Sequence, residues 1–240
     1  MKTRIKIVLS LGLLTLFTSC DHDVIYADGE VTSMYHNIRN YQGVKISDAF
    51  HAYVNFSDTE EEIRIAANDN LHEKIIVEKN EGVLVIQLKN HTTVKGGAVM
   101  NVYITTNNIS SFQLDGASKL TLENEWNVQE GEVKVSGASD FDGEIVADHL
   151  EIYMEGASSA NILGNVSTLD ANLSGSSDLM DFGLSASNLD IVLSGASTAF
   201  LSVEETISIK ASGASTFYYK GGANILKSEL SGSSSIIKED

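Results

Sequence analysis

Four carboxylates have the residue type and the spacing for acid–base chemistry: Asp140, Asp142, Asp178 and Asp181. They follow two like triplets, Gly137-Ala138-Ser139 and Gly175-Ser176-Ser177, at similar offsets. If each triplet is a corner of a stacked coil, the aspartates share one side of the stack, two coils and about 10 Å apart. That separation is compatible with a general acid and a general base acting on a glycosidic bond. The same aspartates are also ordinary turn residues behind a tight corner. A polysaccharide lyase or hydrolase is therefore the alternative reading, not the leading one.

Other reactive residue types lack the pattern that chemistry needs. Ser118, Ser139, Ser158, Ser177, Ser197, Ser215 and Ser234 all close a Gly-Ala-Ser or Gly-Ser-Ser triplet, and none sits in Gly-x-Ser-x-Gly. No nucleophile elbow is present, and seven equivalent serines point to a structural column. His22, His36, His51, His72, His91 and His149 are scattered without metal-ligand spacing. The Gly-Gly-x-Gly-x-Asp calcium repeat is absent as well. Neither a metal nor a cofactor is expected, and the protein reads as a non-enzyme.

The element that must position these residues is a repeat. The triplets begin at Gly116, Gly137, Gly156, Gly175, Gly195, Gly213 and Gly232, in steps of 21, 19, 19, 20, 18 and 19 residues. A fixed period near twenty marks a stacked architecture. Two residues before the glycines stand Leu114, Val135, Met154, Leu173, Leu193, Ala211 and Leu230. Four before stand Phe112, Val133, Ile152, Ala171, Ile191, Ile209 and Ser228. The residues between them are mostly polar, so each copy carries a strand with one buried face. An apolar residue four after each glycine (Leu120, Phe141, Ala160, Leu179, Ala199, Phe217, Ile236) predicts a second short strand. Glycine suits a corner that turns sharply or takes positive φ.

The predicted fold is all-β: a two-sheet parallel β-helix, or β-solenoid, with coils of 19–20 residues. Each coil is strand, corner, strand and looser return, and each pairs with the next. The usual hand of β-crossovers makes it right-handed. Stacking would bring the corner serines into a column, with hydroxyls and amides bonding along it.

Residues 1–19 read as an export signal: Lys2, Arg4 and Lys6 precede an apolar core from Ile7 to Phe17 that is too short to span a bilayer as a helix. The run Leu16-Phe17-Thr18-Ser19-Cys20 ends on the chain's only cysteine. It resembles a bacterial lipobox, which makes Cys20 the lipidated first residue and the membrane contact. A plain secretory signal with an incidental cysteine is the alternative. Residues 20–40 read as the lipidated Cys and a polar tether. Asp21-His22-Asp23 resembles the surface-export signal of lipoproteins from the Bacteroides group. Residues 41–110 are strand-rich without the corner triplet and read as degenerate coils that cap the regular repeats of 111–240. Together they form a single solenoid domain over 41–240, with two domains as the alternative.

Loss of Lys2, Arg4 and Lys6 with the leader leaves 13 basic residues against 33 acidic, a formal charge of −20. That balance excludes nucleic acid as a partner. It also disfavours docking on anionic headgroups beyond the anchor.

Residues 41–240 resemble the putative auto-transporter adhesin, head GIN domain family. The resemblance rests on Tyr41-Gln42-Gly43-Val44-Lys45-Ile46-Ser47, on Gly82-Val83-Leu84-Val85-Ile86, and on repeated corners such as Val135-Ser136-Gly137-Ala138-Ser139. The stretch Thr105 to Ile109 departs from it, lacking a proline the family often has there. The resemblance implies a two-sheet β-helix and an adhesion role, with no catalytic residues to carry over. The reading is a cell-envelope lipoprotein, anchored through Cys20 at the outer membrane and surface-exposed. It would present an elongated face to a glycan or a surface protein. A structural, self-associating envelope protein is the remaining alternative.

Overall fold

The structure, a computed structural model, describes residues 23–240. The predicted export signal and Cys20 lie outside the described residues. The described residues fold into twenty strands and one short 3-10 helix, Asp69–Lys74. It is a β-solenoid, as the alternation of apolar and polar residues predicts.

From Ser111 onward every strand pairing is parallel. Equivalent residues of successive coils lie side by side: Val133 against Ile152, Ile152 against Ala171, Ala171 against Ile191, and Ile191 against Ile209. All five are buried in one apolar column. In-register stacking follows from the equal coil length, because a slip of one residue would turn the whole apolar set outward.

The return between second and first strands is not a loop. Asp140–Met154 and Ser159–Leu173 are continuous strands of 15 residues each, and Thr198–Ala211 has 14. The chain bends without breaking its ladder. In the first of these, Ala147 and Leu150 both point inward, so the alternation slips by one residue between them. Ile145, Ile162, Leu184, Leu201 and Tyr219 supply the inward residues of this face.

The first half departs from simple succession. Gly43–Ile46 pairs in parallel with Val83–Leu88 on one side and with Ser111–Leu114 on the other. His51–Phe56 likewise lies between Met100–Thr106 and Lys119–Leu122. The coil at 43–56 is therefore inserted between the coils at 83–106 and 111–122, and chain order is not stack order. Three pairings are antiparallel: Val31–His36 with Glu62–Asn68, Glu62–Asn68 with Met100–Thr106, and Ile75–Asn80 with Val83–Leu88. The last is a two-residue hairpin through Glu81 (φ 49°) and Gly82 (φ 83°), the turn whose twist matches that of its strands. One buried apolar cluster extends from Tyr41 to Ala223, through both halves.

The stretch read as a tether is partly structured, and that expectation is corrected. Asp23–Tyr26 pairs with Thr92–Lys95, and Val31–His36 adds to the edge of Glu62–Asn68. The open edge left there takes up a strand from the preceding segment and satisfies its backbone groups. Among the described residues no helix is long and apolar enough to cross a membrane.

Candidate functional site

The corners position everything else. Gly116, Gly137, Gly156, Gly175, Gly195, Gly213 and Gly232 have φ between 72° and 85°. Each carbonyl is the next corner's acceptor: Ala138 N donates to Gly116 O, Ala157 N to Gly137 O and Ser176 N to Gly156 O, all at 2.7 Å. The approach leaves no room for a side chain. A Cβ on Gly175 would lie 2.5 Å from Gly156 O. Positive φ and a backbone in contact range both demand glycine here.

The serines that end the triplets are buried from Ser118 to Ser215. Their hydroxyls mainly close their own corners. Ser118 Oγ donates to Asp115 O at 2.8 Å, Ser177 Oγ to Ser174 O at 2.7 Å, Ser215 Oγ to Ser212 O at 2.9 Å and Ser234 Oγ to Ser231 O at 2.8 Å. Ser197 makes the same bond to Ser194 O. Others run along the stack: Ser158 Oγ to Ser177 Oγ at 3.3 Å, Ser118 N to Ser139 Oγ at 3.2 Å, Ser197 Oγ to Leu173 O at 3.2 Å and Ser234 Oγ to Ala211 O at 3.1 Å. A second set of serines, one residue before the glycine, also reaches the neighbouring coil. Ser136 Oγ donates to Leu114 O at 3.1 Å and Ser174 Oγ to Met154 O at 3.3 Å. The recurrent Ser-Gly-Ala-Ser spelling was the sequence signal for it.

The four candidate carboxylates are partly brought together. Phe141 and Leu179 point into the core, so Asp140, Asp142 and Asp178 stand on the outer face of the sheet. Asp140 and Asp178 share one row, separated by Ser159. Asp140 accepts a hydrogen bond from Ser159 Oγ, and Asp142 accepts one from Asn161 Nδ2 at 3.3 Å. Asp181 lies beyond the strand in a left-handed conformation (φ 71°), its carboxylate taking the amide of Phe182 at 2.6 Å. Three of the four are thus committed to neighbouring groups within the stack.

A longer acidic row escaped the sequence reading. Glu132, Glu151, Asp170 and Asp190 lie on four successive coils, roughly 4.8 Å apart along the stack. Their common position five before the glycine was the available signal. Lys134 Nζ meets Glu132 at 2.6 Å, and His149 Nε2 lies 3.6 Å from both Glu151 and Asp170. Tyr153 Oη donates to Glu151 at 2.7 Å. This bond, with help from His149, holds the Glu151 carboxyl below its ordinary range and pushes the Tyr153 phenol up.

The histidines serve structural roles where their contacts are clear. His72 is buried, with Nε2 at 3.0 Å from Thr32 Oγ1. His51 stacks on Tyr53, which stacks on Tyr103, and the Arg64 guanidinium covers the outer ring at 3.8 Å. Burial chiefly, and Lys119 nearby, push His51 down. Among the described residues no group of three or more His, Cys, Asp or Glu is arranged to hold a metal.

One concavity stands out, where the inserted coil meets the regular repeats. It is a cleft of about 780 Å³ lined by Phe56, Ile109 and Trp126, by the amides of Asn107, Asn127 and Gln129, and by the carboxylates of Asp58, Glu125 and Glu130. Asn124, also lining it, is tied to the backbone, its amide accepting from Phe56 N at 2.8 Å and donating to Phe56 O at 2.9 Å. Trp126 is itself buried and donates through Nε1 to Ile109 O at 3.0 Å. The cleft therefore offers amide donors and acceptors beside carboxylate acceptors.

Comparison with known proteins places these features in context. A family model described as putative auto-transporter adhesin, head GIN domain, matches residues 40–223. A crystal structure of a putative adhesin from Bacteroides fragilis superposes with a TM-score of 0.82 at 17% identity, covering 90% of this chain and 100% of that one. A putative lipid binding protein from Parabacteroides distasonis gives 0.73 at 17% identity, covering 91% and 100%. A putative adhesin from Parabacteroides merdae gives 0.71 at 16%, with the same coverage. At these identities the likeness shows the shared fold. No curated protein matches the chain.

Proposed function

Because the chain belongs to the putative auto-transporter adhesin, head GIN domain family, we propose that it is a non-enzymatic binding module of the cell envelope, and that its ligand is an uncharged glycan. The observation that carries this reading is the cleft between Phe56, Ile109 and Trp126, lined by Asn107, Asn127 and Gln129. Side-chain amides donate and accept at once, which matches the hydroxyls of a sugar. A formal charge of −17 over the whole chain disfavours acidic polysaccharides.

The commitments of Asp140, Asp142 and Asp181 within the stack support binding over cleavage. On this reading residues 1–19 are removed, Cys20 carries the lipid, and residues 41–240 act as one unit at the outer surface. Stable attachment then needs more than one acyl chain.

An array of neutral and acidic oligosaccharides, probed with the full chain, tests the ligand class. Saturable binding to neutral glycans, weakened by Asn107→Ala and Asn127→Ala together, is expected. Binding confined to acidic glycans, or unchanged in the variant, would remove the cleft from consideration. For the anchor, a fatty-acid probe fed to expressing cells is expected to label the protein and to be lost in Cys20→Ala. Label retained by that variant would refute the lipid assignment.

A further inference from the structure

The stack presents an uncovered strand beyond Thr198–Ala211. Asn224–Leu230 is hydrogen-bonded to Thr198–Ala211 on one side only, and every one of its residues is exposed. Leu226 is 69% and Leu230 47% exposed; Leu230 lies beside the core-facing Ala211, while Leu226 is the extra residue at a register shift between Ile207 and Ser208. The backbone there is also open. Ser231 N donates to Ala211 O, and peptide groups of alternate residues point to opposite sides of a strand. Glu229 therefore faces the covered side, while Ser228 and Leu230 direct N–H and C=O outward. An uncovered strand with apolar core positions is a template for another strand.

We propose that the occupant is a second copy of this chain, joined by antiparallel pairing of Asn224–Leu230 with itself about a two-fold axis at Ser228. The sequence Leu226-Lys227-Ser228-Glu229-Leu230 is self-complementary under that operation. Leu226 falls opposite Leu230 of the second copy, and Lys227 falls opposite Glu229 of the second copy. The two Ser228 residues exchange both of their free backbone hydrogen bonds.

Within one chain Lys227 Nζ already lies 3.0 Å from Glu229, so the two charges share the outer face that the pairing brings together. Opposite charges placed directly across strands favour pairing and like charges oppose it. Centring the axis one residue either way sets Lys227 against Lys227 or Glu229 against Glu229. The charges thus select the register that the free backbone groups offer. The contact is isologous and closes on itself, giving a dimer and not a fibre.

Sedimentation of the full chain over a range of concentrations tests this without reference to any glycan. The wild-type chain is expected at twice its own mass. Lys227→Glu creates two like-charge pairs across the axis and is expected to weaken association about tenfold or more, with an unchanged circular dichroism spectrum showing that the fold is retained. Combining Lys227→Glu with Glu229→Lys restores complementarity and is expected to restore the dimer. A monomeric wild-type chain at all concentrations, a dimer indifferent to Lys227→Glu, or a double variant that stays monomeric would each overturn the proposal. Residues 1–22 are common to all three chains, so association through them would appear as the indifferent case.

Discussion

At the scale of the residue, the corner glycines and their serines make separable contributions. Gly175 has φ 78°, and a Cβ there would stand 2.5 Å from Gly156 O. Gly175→Val therefore meets backbone strain of about 1–3 kcal/mol together with an overpacking cost of similar size, roughly 1–3 kcal/mol. Ser177→Ala loses the 2.7 Å bond to Ser174 O and the 3.3 Å bond from Ser158 Oγ, each worth about 0.5–1.5 kcal/mol net. Urea unfolding is expected to show the larger loss for Gly175→Val, and the reverse order would make the serines the element that holds the corner. The glycine corners were legible in the sequence because positive φ admits few other residues. The equivalent corner of the inserted coil was not, since it is built on Asp48 (φ 63°) and Ala49 (φ 65°). Leu88 N donates to Asp48 Oδ2 at 2.9 Å there, and nothing in the local residue types announces that long-range support.

At the scale of the element, alternation told which residues face inward but not which strands meet. The regular coils could be paired from sequence because each strand has an equivalent one period away. Gly43–Ile46 has no such marker, and its place between Val83–Leu88 and Ser111–Leu114 is decided by tertiary packing. The seam of that insertion is aromatic. Trp126, the chain's only tryptophan, packs edge-on to Phe112 at 4.9 Å and stacks with Phe56 at 6.5 Å. Trp126→Ala is expected to cost about 3–5 kcal/mol. Because coils touch only their neighbours, hydrogen exchange should show loss of protection around residues 41–58 and 107–135, with 213–238 little changed. Uniform loss across all coils would mean that the stack unfolds as one cooperative block.

At the scale of the whole molecule, the fold supplies long faces whose rows run in register from coil to coil. The repeat period disclosed those faces in the sequence. It did not disclose the cleft, which exists only because residues 56–58, 107–110 and 124–130 are brought together by the inserted coil. On the proposed function the molecule holds a glycan without altering it. The direct measurement is to incubate the full chain with a neutral oligosaccharide selected on the array and follow the sugar by mass spectrometry. The oligosaccharide is expected to be retained by the protein and recovered at its original mass. Products released in molar excess over protein, and abolished by Asp140→Asn with Asp178→Asn, would contradict it.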